Sequence, residues 1–212
     1  MSCMCGEPVP NSYLAGAGRR LVYSDARGNV VPIRGGGGFS TTGIVHGLVA
    51  GHGLIATVSL VPSDGSPAWV NTVTVHTAAG QPVSTLPGPP ALPGYLTAAT
   101  SAAIAGQVVA VSGALASGSS EITLFDAQTG TQLAVVQVSV SNGYIYLIGG
   151  DPNWVVVYGD ATIFGVNVLT HQVVRLSTPA ADTIYVSVSG RRVAWAENIH
   201  GHHRIRAFDL PS

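Results

Sequence analysis

The stretch 185-YVSVSGRRVAWAEN-198 reads as a strand, a tight glycine turn, two arginines and a second strand. Val, Tyr and Trp favour extended backbone, and glycine supplies the turn. The same order stands 172 residues earlier, in 13-YLAGAGRRLVYSD-25. Three more glycines mark hairpins between these copies. They are Gly53 in 51-GHGLIATVSL-60, Gly106 in 105-AGQVVAVSG-113 and Gly150 in 149-GGDPNWVVVYGD-160. From Gly18 to Gly190 the gaps are 35, 53, 44 and 40, a mean of 43. That is the length of one four-stranded blade of a β-propeller. One such sheet cannot bury both faces alone, so blades stack around an axis. The predicted fold is therefore all-β, with about five small antiparallel blades. A β-sandwich or a β-solenoid is the alternative.

A second marker keeps step with the first. Strand–turn–strand segments recur at 73-VTVHTAAGQPVSTL-86, 121-EITLFDAQTGTQLAVVQV-138 and 161-ATIFGVNVLTHQVVRLS-177, and in part at 204-RIRAFDLPS-212. Asp126, Asn167 and Asp209 are 41 and 42 residues apart at the ends of these strands. Their side chains can accept bonds from the backbone two residues on, so turn chemistry accounts for them.

With strands A to D named from the axis outward, blade 1 has strands near 12–17, 20–25 and 29–34. Blade 2 spans 44–86, blade 3 spans 97–138, blade 4 spans 143–177 and blade 5 starts at 182. The glycine run 35–38 and the Pro/Gly segment 87–94 read as connections between blades. Blade 5 runs out after its third strand at Phe208. Residues 1–11 form a tail or a closing strand, and 12–212 form one domain. Glu7 to Pro10 would have to supply the closing strand, and two prolines suit it poorly. The other reading is a piece of a larger propeller.

Hydrophobic residues are 46% of the 212 and charged residues 9%, which fits a packed core and not disorder. Net charge is −1, which gives no nucleic-acid footprint. No apolar run is long enough to span a membrane. The segment 1-MSCMCGEPVPNSYLAG-16 lacks the basic and apolar regions of a signal peptide. Compartment therefore stays open. Cys3 and Cys5 read as free thiols on a tail. Only Asp64 is charged between Gly35 and Ser120, so this region is either a Gly/Ser/Ala-rich solvated surface or a docking surface.

The segment 187-SVSGRRVAWAENIHGHHRIRAFDL-210 resembles the TolB-type, WD-repeat-like propeller repeat. Ser187, Gly190, Arg191, Val193, Ala194, Trp195, Gly201, Ile205 and Asp209 occupy the positions of that pattern. Ser189 stands where the family has a turn Asp. The segment 18-GRRLVYSDARG-28 is a weaker match. The resemblance implies a propeller used as a binding platform or as an accessory domain of a peptidase.

Chemical motifs are sparse. There is no G-x-S-x-G elbow, P-loop, H-E-x-x-H or C-x-x-C. Topology nevertheless says where a ligand would sit. The B–C loops and the D-to-A connections open on one face. That face collects Asp64, Trp69, Tyr95, Asp182, Glu197, His200, His202 and His203, which form the candidate ligand-binding set. Asp25 and Arg27 join it if blade 1 follows the pattern. Trp69 can equally pack between blades. The three histidines read first as a solvated hairpin, since His202 and His203 would point to opposite faces of a strand. No cofactor, metal or catalytic residue is assigned. The expected role is a scaffold or recognition module for a protein, peptide or glycan, without nucleic acid or membrane insertion. A hydrolase or lyase on the same face, with a metal held partly by His200 and His202, is the first alternative. A subunit assembling through residues 35–120 is the second.

Overall fold

Nineteen short strands, hydrogen-bonded into five separate antiparallel sheets, make up the regular structure among the described residues. These residues, in a computed structural model, are 14–17, 20–24, 29–32, 38–62, 69–88, 100–114, 120–140, 145–178 and 182–211. Blade 1 holds β1 (Leu14–Ala17), β2 (Arg20–Ser24), β3 (Asn29–Pro32) and β4 (Phe39–Ser40). Blade 2 holds β5 (Ile44–Gly51), β6 (Leu54–Pro62), β7 (Trp69–Thr77) and β8 (Pro82–Pro87). Blade 3 holds β9 (Ser101–Ala105), β10 (Val108–Ala114), β11 (Ser120–Asp126) and β12 (Gln132–Val138). Blade 4 holds β13 (Tyr146–Asp151), β14 (Trp154–Gly159), β15 (Thr162–Asn167) and β16 (Val173–Arg175). Blade 5 holds β17 (Asp182–Ser189), β18 (Arg192–Ile199) and β19 (His202–Asp209). Within each sheet every strand pairs with the next one in sequence. The five-blade division read from glycine spacing matches these sheets.

Three details differ from the sequence reading. The run 35–38 lies inside blade 1, because Phe39 and Ser40 pair with Val30 and Asn29 of β3. Blade 4 turns at Pro152 and Asn153, and Gly150 sits within β13. A Cβ on Gly150 would lie 2.6 Å from the Ile104 carbonyl oxygen of the neighbouring blade. Glycine is there because two inner strands touch. By contrast Gly53 is a true turn glycine, with φ of +79° and open space around it. Asp209, finally, is not a turn acceptor: it forms a fork with Arg192, at 2.8 and 2.6 Å. The postulated closing strand near Glu7 and the tail cysteines lie outside the described residues.

Asp126 and Asn167 do act as predicted. Asp126 Oδ1 accepts from the amides of Gln128 and Thr129, and Asn167 Oδ1 from those of Leu169 and Thr170. Beneath these side-chain bonds lies a backbone contact common to four blades. The residue after the third strand donates its amide to a carbonyl in the first hairpin turn. The pairs are Ala78 to Gly53, Ala127 to Gln107, Val168 to Asn153 and Leu210 to Arg191, at 2.8, 2.8, 2.9 and 2.8 Å.

The hydrophobic core is four seams between consecutive blades. Val22, Val30, Leu48 and Ile55 join blades 1 and 2. Val58, Val73, Ile104 and Val109 join blades 2 and 3. Ile122, Leu124, Val155 and Val157 join blades 3 and 4. Trp154, Ile163, Val193, Trp195 and Leu210 join blades 4 and 5. Among the described residues no such cluster joins blade 5 to blade 1.

Strand patterns follow from this. The second strands of the middle blades have neighbours on both faces, so they are buried without alternation. Leu54 to Leu60 of β6 are buried throughout, as are Trp154 to Val157 of β14. In β18 burial alternates, with Val193, Trp195 and Glu197 buried and Arg192 exposed. A period of two means one covered face. In β2 likewise Val22 and Ser24 are buried and Tyr23 is exposed. Blades 1 and 5 therefore each leave one face uncovered by described residues.

Candidate functional site

Blade 5 brings five of the eight predicted site residues to one end of one sheet. Asp182 pairs with Asn198 and Thr183 with Glu197 on the first hairpin. His202 pairs with Ile199 and His203 with Asn198 on the second. His200 and Gly201 form the turn between them, with φ of 51° and 85°. Two consecutive residues with positive φ are the mark of a tight two-residue hairpin, so this is a short turn and not an open loop. His202 and His203 lie on opposite faces of β19, and both are exposed. Trp69 opens β7 opposite Pro62, at the same end of blade 2. Asp64 and Tyr95 lie outside the described residues. Among the described residues no three His, Cys, Asp or Glu side chains are gathered as metal ligands.

Glu197 is enclosed, not presented to solvent. It has 0% exposure and takes hydrogen bonds from three directions. Trp195 Nε1 donates at 3.1 Å, Arg204 Nε at 2.6 Å and Thr178 Oγ1 at 3.2 Å. Burial is the largest influence on its carboxyl and pushes the pKa up. The bonds from Trp195, Arg204 and Thr178 and the Arg204 charge together outweigh it, so the group is held below the ordinary glutamate range. With both oxygens engaged, this carboxylate fixes β18, β19 and the entry to blade 5.

Beside it the pairing of β17 slips between Thr183 and Val186. A bulge of this kind bends the strand and re-aims a side chain. Tyr185 stands at the slip and is 81% exposed. Ile148, Tyr158, Tyr185 and Val186 line a cleft of about 310 Å³ between blades 4 and 5. Tyr158 Oη donates to the Thr183 carbonyl at 3.0 Å, which fixes one wall.

A second cavity, of about 380 Å³, lies on the axis. All five innermost strands contribute: Ala15 of β1, Leu48 of β5, Ile104 of β9, Ile148 of β13 and Val188 of β17. Small residues let these strands converge. Gly149 meets Val188, and Gly51 meets Ile104. The cavity sits toward the A–B turns, away from the B–C hairpins. Among the described residues its lining has no titratable side chain.

No family model matches the chain, and no curated protein matches it. Solved structures do. A TolB of Agrobacterium tumefaciens superposes with TM-score 0.55 at 13% identity, over 93% of this chain and 76% of that one. The β-propeller domain of the Trilobed protease from Pyrococcus furiosus gives 0.57 at 10% identity, over 93% and 64%. Acylaminoacyl peptidase of Pyrococcus horikoshii gives 0.57 at 13% identity, over 89% of this chain but 34% of the peptidase. The chain thus spans about a third of that enzyme's length.

The chain has a TolB-like β-propeller fold.

In this TolB-like propeller, sequence reasoning missed Tyr158 and Tyr185. They come from different blades, 27 positions apart, and no local motif links them. One signal was available. Tyr185 interrupts the alternation of 182-DTIYVSVS-189 by following Ile184 directly, which is how a bulge announces itself.

Proposed function

We propose that this propeller is a non-catalytic recognition module that binds a protein, peptide or glycan on its B–C hairpin face. The observation that carries the reading is Tyr185, a large aromatic ring 81% exposed over a mostly apolar cleft. Exposed tyrosine offers contact area at small entropic cost and keeps a polar tip for hydrogen bonding. Tyr158 and Val186 give the opposite wall, and the His200 turn and His202 extend the surface. Glu197 holds the strands behind it, and Asp64, Trp69, Tyr95 and Asp182 would extend the surface around the ring. The fold likeness agrees with a binding platform, although fold alone does not specify one.

The test is a screen of immobilised glycans and of a random heptapeptide display library, repeated with Tyr185→Ala and Tyr158→Phe. A hit that loses at least tenfold in affinity with Tyr185→Ala supports the reading. Hits indifferent to Tyr185, His200 and His202 defeat it.

A further inference from the structure

Blades 1 to 4 each have a fourth strand; among the described residues blade 5 has three. The outer edge of β19 therefore occupies the position that β3, β7, β11 and β15 fill with a hydrogen-bonded partner. All eight residues of β19 are exposed, with Ile205 at 83% and Phe208 at 41%. A strand edge of this length presents a row of backbone donors and acceptors ready for another chain.

The charges around the edge select the chain that fits. No cation lies between Arg34 and Arg175, whereas Asp64, Glu121, Asp126, Asp151 and Asp160 all do. Arg175, Arg191, Arg192, Arg204 and Arg206 are gathered in and beside blade 5. Asp209 satisfies Arg192. Arg204 and Arg206 share one carboxylate, Glu197, at 2.6 and 3.7 Å, and their side chains remain 44% and 51% exposed. They lie on the same face of β19, two residues apart, with His202 beyond them. On the other face stand His203, Ile205 and Ala207. This edge is a cationic strip alternating with an apolar one.

We propose that the edge of β19, unpaired among the described residues, binds an acidic, extended segment of a partner protein as the fourth strand of blade 5. Directly opposed residues of paired strands share a face, so the segment carries acids opposite Arg204 and Arg206 and an apolar residue between them. Backbone pairing supplies affinity and the alternation supplies selectivity. A second copy of this chain is a poorer occupant, because the outer strands of blades 2 and 3, β8 and β12, have no Asp or Glu to offer it. The edge meets the proposed recognition face at His202 but excludes the Tyr158–Tyr185 cleft, so Tyr185→Ala tests that reading and Arg206→Glu this one.

Fluorescence anisotropy of the full chain with a labelled heptapeptide alternating Glu and Val is the test. Saturable one-to-one binding is expected, weakening at least tenfold between 50 and 300 mM salt, roughly as surface charge pairs are screened. Arg206→Glu weakens it at least tenfold, while Val135→Glu on β12 leaves it unchanged. The same peptide N-methylated at alternate amides on its pairing edge does not bind, and an Arg–Val peptide binds at least tenfold less. Circular dichroism of the Arg206→Glu protein must match that of the parent. Absence of saturable binding overturns the proposal. So does binding insensitive to N-methylation, which would mean charge attraction without strand pairing, or sedimentation showing that a dimer already covers the edge.

Discussion

Gly150 offers the sharpest test of how the blades are held. A methyl group there would lie 2.6 Å from the Ile104 oxygen, 2.9 Å from the Trp154 oxygen and 3.2 Å from the Ala105 Cβ. The first two obstacles are backbone and cannot swing aside. Blades 3 and 4 would have to part by most of an ångström to restore ordinary contact. That opening falls on the seam filled by Ile122, Leu124, Val155 and Val157. Overpacking of this kind costs about 1–3 kcal/mol, and rigid obstacles place it near 3. For a domain of this size 3 kcal/mol lowers Tm by roughly 6–12 °C. Gly53→Ala is the comparison. It meets nothing within 4 Å but must adopt φ of +79°, a strain of about 1 kcal/mol. Asn tolerates that backbone, so Gly53→Asn recovers most of the loss, whereas Gly150→Asn is worse than Gly150→Ala. Urea unfolding followed by tryptophan fluorescence reads all four variants, since Trp154 is buried in blade 4, in the seam next to the strained one. Equal losses for Gly150→Ala and Gly53→Ala, or recovery with Gly150→Asn, would refute the close-contact argument.

Two further outcomes follow from the buried titratable groups. Glu197→Gln removes the charge that balances Arg204, at a cost of about 2 kcal/mol in urea unfolding. That is below the usual 3–5 for a broken buried pair because the Arg204 side chain is half solvated. A loss under 0.5 kcal/mol would contradict the description of Glu197 as the anchor of blade 5. Acidification should weaken the fold in two stages. Burial lowers the pKa of His46 and of His76, so both are held neutral in the folded chain. As pH falls below about 6.5 the unfolded chain takes up protons first and stability declines. The lowered Glu197 contributes stability above the unfolded glutamate value, and this is lost as pH falls through its folded value. Urea titrations from pH 8 to 3 should show both stages, the upper one reduced in a His46→Gln, His76→Phe double variant. A profile flat from pH 7 to 5 in the parent chain would contradict the first stage.

The sheets were readable in the sequence because each strand is a short Val-, Ile- or Thr-rich run between turn residues. The errors share a cause: the same residue type serves two physical ends. Gly150 resembles a turn glycine, but its role is set by Ile104 in another blade. Asp209 resembles Asp126, yet Val108 stands across from Asp126 and Arg192 across from Asp209, so an ion pair replaces a turn bond. The two-residue strand β4 is too short to show any period. At the candidate site, the His200 hairpin and the opposite directions of His202 and His203 followed from alternation alone. Glu197 did not: its enclosure depends on Arg204 lying across from it on β19 and on Thr178 at the entry to blade 5. The cleft of Tyr158 and Tyr185 depends on how two blades meet, which spacing along one strand does not encode.

The amide that ties the third strand to the first hairpin in blades 2 to 5 asks nothing of a side chain. Ala78, Ala127, Val168 and Leu210 share only a main-chain N–H, and proline alone among the residues could not supply one. Successive blades can therefore drift until their side chains no longer betray a common ancestor while the joint between their hairpins persists. Kinship in such a molecule is written in backbone geometry, where shapes can still be superposed after the letters have ceased to agree.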